Sequence, residues 1–369
     1  MKSFYLIFIF VSMLNSSVFG KIITVDNNVS SGADFSTITD AINSASNGDT
    51  LYVHASNQAY GNVSISKKLI LIGPGHYPQA TGGLSAKLGK ITFTDGSSGS
   101  MITGFAITGG IAKGDDYWGN HVASDIIIEN NLFTACHVIN MERGVNDNWT
   151  IRGNIFLETS SCGGSNIITV GKNSDDWLIA NNIFISNTQR HSTGIFGQIN
   201  GSTSIINNTI IHRNNAVLFY IQLESNKSYN ALLKNNIIVS LSSSLQDITS
   251  NCVDCRWENN LTFSPNTTLD PLPGASNINN KNPDFVSVSD TYAWSYDADF
   301  NVSAESPASN SGSDGTDLGA FGANFNFNIY GLPFGVPYIE KLEVENQLLH
   351  SGSKLRFRVK ARSAMHRID

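Results

Sequence analysis

The 369-residue sequence has little charge, little proline and no long apolar run after its first residues. Charged residues make up only 14%, which argues against a long helical bundle or coiled coil. The formal net charge of -7 disfavours a nucleic-acid partner, because phosphate binding depends on basic patches. Disorder is excluded by the apolar content of 41%. No segment after residue 20 approaches the about 18 apolar residues of a spanning helix, so we expect no transmembrane segment in the mature chain.

The first 20 residues have the pattern of a secretory signal peptide. Lys2 precedes an apolar run from Phe4 to Leu14, and Val18 and Gly20 stand at the positions of a cleavage site. The run is too short to span a bilayer comfortably. We therefore expect cleavage near Gly20 and a secreted or cell-surface protein.

The chain has only four cysteines, and a secreted chain allows them to form disulfides. At Cys252 and Cys255 we favour a local disulfide over a zinc or thiol-redox site, with free buried thiols as the alternative. Cys136 and Cys162 lie about one repeat length apart and are a second candidate pair.

Asparagine is abundant, with 42 residues, and part of it belongs to an internal repeat. Six segments share the pattern Asn-Asn-x-Ile or a close variant, and their anchor asparagines are 23, 28, 26, 28 and 24 residues apart. The anchors are Asn131, Asn154, Asn182, Asn208, Asn236 and Asn260. An upstream segment places Gly104 at the corresponding position.

Each unit alternates apolar and polar residues, which is typical of a strand, a tight bend and a second strand. The residue three before the anchor is always large and apolar, from Ile128 to Trp257, and is expected in a core. The residue two before the anchor is mostly polar and is expected in solvent. Asparagine and glycine suit the bend because they tolerate positive φ. Stacked asparagine side chains can also hydrogen-bond from one unit to the next.

A unit of about 25 residues cannot bury its own apolar face, so the units must stack. Stacked units that climb about 4.8 Å per turn form a parallel β-helix. A leucine-rich repeat would have leucines at fixed positions and a helix in each unit, and this sequence has neither. We therefore predict an all-β, right-handed parallel β-helix solenoid over residues 21–330.

Both ends of the solenoid differ from the repeats. Residues 21–55 contain a strand, a turn and an amphipathic helix with Ser36 as the expected N-cap, which together would cap the open end. Residues 331–369 contain two alternating segments, Ile339 to Glu345 and Leu355 to Val359, and form a predicted C-terminal β extension.

The last 18 residues carry six Lys or Arg. We interpret this basic end as a solvated strand face. A tether to acidic glycans or to the cell surface is the alternative.

Three blocks of sequence resemble secreted parallel β-helix proteins of the pectin-lyase-like superfamily. They are Gly32 to Ile38 with Gly48 to Leu51, the Asn-Asn-x-Ile units, and Asn282 to Phe285 with Ser306 to Ala308 and Asp317 to Phe321. The segment from Ile65 to Gly75 resembles a subset of secreted Bacteroidetes proteins, many of which have no assigned activity. All of these motifs build the coil, so the resemblance implies the fold and carries little information on function.

Enzymes of this superfamily cut polysaccharides. Lyases need a base together with a cation, Lys or Arg, and hydrolases need paired carboxylates. The pectate-lyase signature Trp-x-Asp-His with a downstream Arg-x-x-Arg is absent from the sequence. The acidic pairs Asp115-Asp116 and Asp175-Asp176 resemble loop acids at the start of a coil.

The repeat register indicates one candidate catalytic surface. Glu158 and His212 both stand four residues after an anchor, two coils or roughly 10 Å apart, and Arg213 adjoins them. Arg190 and His191 are candidate substrate-binding residues near the same stripe. The alternative is a row of ordinary solvent-facing polar residues.

Two functions stay open at this point. The first is non-catalytic binding of an extracellular polysaccharide or a cell-surface glycan, which the missing lyase signature and the low charge favour. The second is a polysaccharide lyase or glycoside hydrolase that acts on an acidic glycan through the candidate surface. Asp and Asn line many turns, but no loop has a calcium-ligand pattern, so we predict no cofactor, with calcium as the alternative.

Overall fold

Short strands form on either side of each Asn-Asn bend, because apolar and β-branched residues alternate there with period two. The computed structural model is a nearly all-β parallel solenoid of about eight turns, which confirms the predicted fold class. It describes residues 20–28, 30–77, 83–113, 121–135, 138–142, 144–157, 166–171, 173–186, 194–200, 202–213, 217–219, 228–345, 352 and 354–363. Residues 1–19 of the predicted signal peptide and the pair Cys136 and Cys162 lie outside these residues.

Sheet 1 is formed by the strands that precede the bends. Its ten parallel strands follow chain order: Ile22–Val25, Thr50–Val53, Ile70–Ile72, Met101–Thr103, Ile127–Glu129, Thr150–Arg152, Leu178–Ala180, Ser204–Ile206, Leu232–Lys234 and Arg256–Glu258. Neighbouring strands pair in register, so that Ile128 lies between Ile102 and Ile151.

Sheets 2 and 3 complete each turn of the coil. Sheet 2 follows the bends, and its eight parallel strands are Lys87–Leu88, Ala106–Ile107, Leu132–Phe133, Ile155–Leu157, Ile183–Ser186, Thr209–His212, Ile237–Ser240 and Leu261–Phe263. The seven parallel strands of sheet 3 are Val63–Ile65, Ile91–Phe93, Ile111–Lys113, Ile139–Asn140, Asn166–Thr169, Gly194–Gly197 and Val217–Phe219. Similar residues therefore stack above one another along the axis.

Smaller elements accompany the three sheets. One parallel pair joins Ser228–Tyr229 to Cys252–Val253, where a disulfide links Cys252 to Cys255. Two antiparallel pairs join Phe285–Ser287 to Asp299–Val302, and Pro337–Val344 to Phe357–Ser363. The last pair is a short C-terminal β extension, and its second strand begins two residues later than predicted.

A helix at Ile38–Ser44 packs against the first strands. Its N-cap is Thr37, whose Oγ1 accepts a hydrogen bond from the backbone N–H of Asp40 at 3.1 Å, so the prediction of Ser36 was wrong by one residue. At the other end, Nζ of Lys67 donates to three backbone carbonyls, which satisfies groups that a helix C-terminus leaves open.

The interior of the coil is a column of apolar side chains. The residues three before each anchor are at most 2% exposed, as predicted. Phe133, Phe156 and Phe184 stack with centroids 4.8 and 4.7 Å apart, and Trp149 and Trp177 stack at 4.8 Å. These distances equal the spacing of strands, and full burial of one such side chain contributes about 1.5–3 kcal/mol.

The six anchor asparagines form a continuous buried ladder at the corner between sheets 1 and 2. Nδ2 of each anchor donates to Oδ1 of the next at 2.9–3.1 Å, and so does its backbone N–H at 2.8–3.0 Å. Nδ2 also donates to a carbonyl of the preceding coil. The ladder starts at the N–H of Phe105 and ends at Asn277, which the repeat pattern had not identified.

The positive φ of each bend belongs to the residue before the anchor, not to the anchor. The residues with this conformation are Gly153, with φ 65°, and, with φ of 51–56°, Asn130, Asn181, Asn207, Asn235 and Asn259. The first residue of each pair thus makes the bend and the second makes the ladder. Gly104 aligns with Asn130 in the strand register, so its predicted alignment with Asn131 was wrong by one residue.

A C-terminal strap, residues 282–335, runs back along the outer face of sheet 2. Its apolar residues pack on a row of outward-facing ones, Ile155, Ile183, Ile185, Ile211, Ile237, Val239 and Leu261. Polar contacts follow in reverse chain order: Ser313 N–H donates to Asn235, Ala320 N–H donates to Thr209, and Asn181 donates to the carbonyl of Ala320. Sheet 2 is therefore buried on both faces, as is usual for parallel sheets.

The strap also changes the exposure of sheet 1 near the bends. Arg152, Lys234 and Glu258 are partly exposed, as predicted for the position two before the anchor. Glu129 and Ala180 are only 2% and 5% exposed, so the prediction was wrong for them. The reason is that the strap crosses the adjoining bend residues. Glu129 keeps a partner, because Arg152 donates to its carboxylate at 2.8 Å.

The far end of the strap is held at His76, a buried histidine of the third coil. Its backbone N–H donates to the carbonyl of Tyr330 at 3.0 Å, and the Tyr296 hydroxyl donates to the His76 carbonyl at 2.9 Å. The hydroxyl has only one proton, so Nδ1 of the ring, 3.0 Å away, is the donor to the hydroxyl oxygen. Nε2 is buried without a partner among the described residues, and burial lowers the pKa of His76 to about 3.

Removing one rung of the ladder is expected to destabilise the fold strongly. In Asn208→Ala the backbone N–H and side chain of Asn182 lose their acceptor inside the corner, which costs roughly 2–4 kcal/mol of unfolding free energy. The exposed Asn57, changed to Ala, is the matched control and is expected to cost less than about 0.5 kcal/mol. Denaturant unfolding measures both, and equal effects would contradict the structural role of the ladder.

The buried His76 is expected to make stability depend on pH. Between pH 6.5 and about 3 the unfolded chain binds a proton at this ring that the folded chain does not, so the unfolding free energy falls as the pH falls. His76→Gln removes that slope, which is at most about 1.4 kcal/mol per pH unit. The difference in stability between wild type and variant should therefore shrink on acidification. A difference that stays constant from pH 7 to pH 4 would contradict the assignment.

Candidate functional site

The candidate catalytic surface is only partly within the described residues. Glu158, Arg190 and His191 lie outside them. His212 ends the sheet 2 strand Thr209–His212 and is fully buried, in register with the buried Ser186 and Ser240. The structure therefore places His212 inside the coil and not on a solvent-facing surface.

Arg213 lies at the surface but has a structural contact. Its guanidinium donates to the backbone carbonyl of Thr291 in the strap, and partial burial lowers its pKa. His212 and Arg213 thus point to different environments, one inside the coil and one toward the strap.

The acidic pair Asp175-Asp176 lies in the turn before a sheet 1 strand, as expected for loop acids. The carboxylate of Asp175 accepts hydrogen bonds from Asn200 and Ser202, at 3.2 and 3.1 Å, and the Ser202 hydroxyl also accepts one from the Asp176 N–H. These contacts link successive turns. The other pair, Asp115-Asp116, is outside the described residues.

A solvent-facing cavity of about 390 Å³ lies in the strap. Its apolar wall consists of Phe285, Val286, Val288 and Tyr292. Its polar wall consists of Asn282, Asp284, Ser289, Asp290 and Ser303. The cavity is shallow and open to solvent, since none of its lining residues is buried, and it places apolar and polar groups beside one another.

Local structure positions the aromatic wall. Phe285 begins a two-stranded antiparallel pair and meets Phe300 edge-to-face at 5.4 Å, while Tyr292 meets Phe285 at 6.3 Å. The N–H of Tyr292 donates to the carbonyl of Ser289 at 2.7 Å, which closes a tight turn. Arg213 braces the same turn through Thr291.

Two residues that line the cavity have a positive φ. Asp284 has φ of 44°, in a region that Asn and Asp adopt more readily than other residues with a side chain. Tyr292 has φ of 51°, which costs of order 1–3 kcal/mol for a bulky residue. Asn282 to Phe285, one of the blocks that resemble the superfamily, lies in the strap at this cavity, so the expectation that all of these blocks build the coil was wrong.

Two acidic side chains, Asp284 and Asp290, line the cavity. Burial raises the pKa of the Tyr292 phenol, and the negative charges of Asp290 and Asp284 raise it further. The phenol is therefore a neutral hydrogen-bond donor at physiological pH. The carboxylates of Asp284 and Asp290 accept no hydrogen bond from any described residue, and both residues are exposed.

The described residues contain no group of three or more His, Cys, Asp or Glu side chains that can hold a metal ion. Calcium takes six to eight oxygen ligands, and the cavity has two carboxylates and one amide oxygen. The absence of a cofactor stays a prediction for this chain, with calcium as the alternative.

Comparisons with known proteins give no family for this chain. No family model matches it, and no curated protein sequence matches it. In the part of the chain that the structure describes, no helix is long and apolar enough to cross a membrane.

Removing the brace on the cavity turn is expected to loosen it. Arg213→Ala loses the hydrogen bond to Thr291, so backbone amides 289–292 should exchange with deuterium about fivefold faster or more, in keeping with about 1 kcal/mol. The solenoid strands should be unaffected. The exposed Arg256, changed to Ala, is the matched control. Unchanged exchange in the turn of Arg213→Ala would contradict the bracing role.

Proposed function

We propose that this protein is a secreted parallel β-helix protein that binds an extracellular polysaccharide or a cell-surface glycan without cleaving it. The observation that carries the proposal is the strap cavity, where an aromatic wall faces carboxylate, amide and hydroxyl groups. Sugars have apolar ring faces and many hydroxyl groups, and such a wall is complementary to both.

Two further observations support an extracellular binding role. The first 20 residues have the pattern of a secretory signal, and the Cys252–Cys255 disulfide suits an oxidising compartment. The sequence blocks that build the coil resemble the pectin-lyase-like superfamily, and we propose membership of that superfamily on this ground.

The binding role is favoured over catalysis for a physical reason. A lyase or hydrolase needs its base, acid or cation at the substrate, and His212 is buried inside the coil. The candidate catalytic residues stand at or just after the ends of the sheet 2 strands. The strap covers the outer face of that sheet. The cavity itself holds no Lys, Arg or His, one of which a lyase would use. It does hold two carboxylates, the groups that a hydrolase uses, so product formation is assayed together with binding.

A glycan panel tests the proposal. We expect the full chain to bind at least one polysaccharide, and Tyr292→Ala to weaken that binding roughly 5- to 50-fold because an aromatic anchor is lost. The matched control is Tyr229→Ala, which removes a 43% exposed tyrosine that does not line the cavity. Affinity electrophoresis and calorimetry measure the binding.

The same samples are assayed for new reducing ends and for the ultraviolet absorbance of unsaturated products. Binding without either product supports the proposal. Product formed by the wild type would contradict the non-catalytic proposal and establish the alternative enzyme function. A chain that binds no glycan of the panel would contradict the binding function.

A further inference from the structure

The strap cavity carries a net negative charge at its ligand-facing surface. Asp284 and Asp290 supply two carboxylates, and no Lys, Arg or His is among the residues that line it. Two cations are close to the lining residues: Lys281 directly precedes Asn282, and Arg213 donates to the backbone carbonyl of Thr291. Neither side chain lines the cavity, so an anionic ligand inside it meets two carboxylates and no cation among the lining residues.

The remaining groups of the cavity set its hydrogen-bonding preference. The carboxylates are acceptors only, while the Tyr292 phenol and the Ser303 hydroxyl both donate and accept. The Ser289 hydroxyl is already engaged with Thr291 and with the N–H of Ala293, and the Asn282 amide oxygen accepts from the N–H of Asp284, which leaves the Asn282 Nδ2 as a donor. A carboxylate forms its strongest bonds with a ligand that offers donors, such as adjacent hydroxyl groups. The half-buried rings of Phe285 and Tyr292 provide an apolar surface beside these acceptors.

We infer that the strap cavity selects neutral, hydroxyl-rich sugar units and discriminates against uronate units. This inference rests on the proposed glycan-binding function and narrows its ligand class. The inference opposes the alternative function, in which the protein acts on an acidic glycan. The ring face of a neutral sugar lies on Phe285 and Tyr292, and its hydroxyls donate to Asp284 and Asp290.

The size of the expected discrimination follows from Coulomb's law at an exposed site. Two carboxylates about 5–6 Å from a uronate carboxylate, in a medium close to water, weaken binding by about tenfold at low salt. Because salt screens exposed charges, the discrimination should decrease as ionic strength rises. Discrimination by shape alone would be insensitive to salt.

The experiment compares neutral and acidic oligosaccharides of equal length on the full chain. Calorimetry at low and high salt measures the affinity for hexasaccharides of glucose, mannose and xylose, and for hexagalacturonate, each in EDTA and in calcium. We expect a neutral hexasaccharide to bind, and hexagalacturonate to bind at least about tenfold more weakly at low salt.

Isosteric variants assign the discrimination to the carboxylates. The double variant Asp284→Asn with Asp290→Asn removes both charges, and Asn tolerates the positive φ of position 284. It should bind the neutral ligand several-fold more weakly and lose most of the preference against hexagalacturonate. Asp270→Asn removes an exposed charge outside the cavity and should leave the preference unchanged.

The outcomes distinguish the preference for neutral sugars from glycan binding itself. Tighter binding of hexagalacturonate than of every neutral ligand, with or without calcium, would overturn the neutral-sugar inference and leave glycan binding intact. A preference that persists in the double variant would overturn the role of the carboxylates. Failure of all four ligands to bind would contradict glycan binding at this cavity and the inference together.

Discussion

The coil depends on one hydrogen-bonded row, the asparagine amides buried at the corner between sheets 1 and 2. A buried amide that loses its partners costs about 1–3 kcal/mol for each open group, so every anchor requires another anchor one coil away. A shift of one coil by a single residue would break the row at that point and turn the core side chains outward. The ladder therefore sets the register in which Phe156 stacks on Phe133 and Phe184.

The same constraint explains why the repeat length varies while the fold does not. Anchors are 23 to 28 residues apart along the hydrogen-bonded ladder. In every one of these coils the sheet 2 strand starts three residues after the sheet 1 strand ends, as at Glu129 and Leu132 or at Lys234 and Ile237. Insertions are therefore confined to the remainder of the turn, which carries no ladder.

A regular coil of this kind has an apolar outer face on sheet 2, and the strap covers it. Because the strap covers the outer face, residues such as Ile183 and Ile211 are buried, although the repeat pattern does not predict that they are buried. The exposed carboxylates of Asp284 and Asp290 lie on the strap, where they line the cavity. The strained turn at Tyr292 is held between the coil, through Arg213, and the antiparallel pair that begins at Phe285.

Much of the fold was predictable because its cause is local and repeated. Alternation around Asn182 or Asn208 identifies two strands and a bend, and the common spacing identifies the stack. The strap was not predictable, since Phe300, Leu318 and Phe327 belong to no repeat and their partners lie up to about 170 residues away in the chain. His212 was placed on a surface because counting from an anchor does not say which way a strand-end side chain points.

The cavity was missed for a related reason. Asp290 and Tyr292 belong to no motif, and Asp284 belongs to a block that was expected to build the coil. Only the turn that Ser289 closes brings Tyr292 to the cavity that both carboxylates line. The repeat register aligns residues of the coil only, so it identified Glu158, His212 and Arg213 and no residue of the strap.

The most direct test of sugar binding at the strap cavity is hydrogen–deuterium exchange of the full chain with the tightest-binding oligosaccharide. We expect new protection confined to residues 282–292 and around Ser303, with the strands of sheet 1 unchanged. Protection along the outer face of sheet 1, without any at the strap, would contradict it.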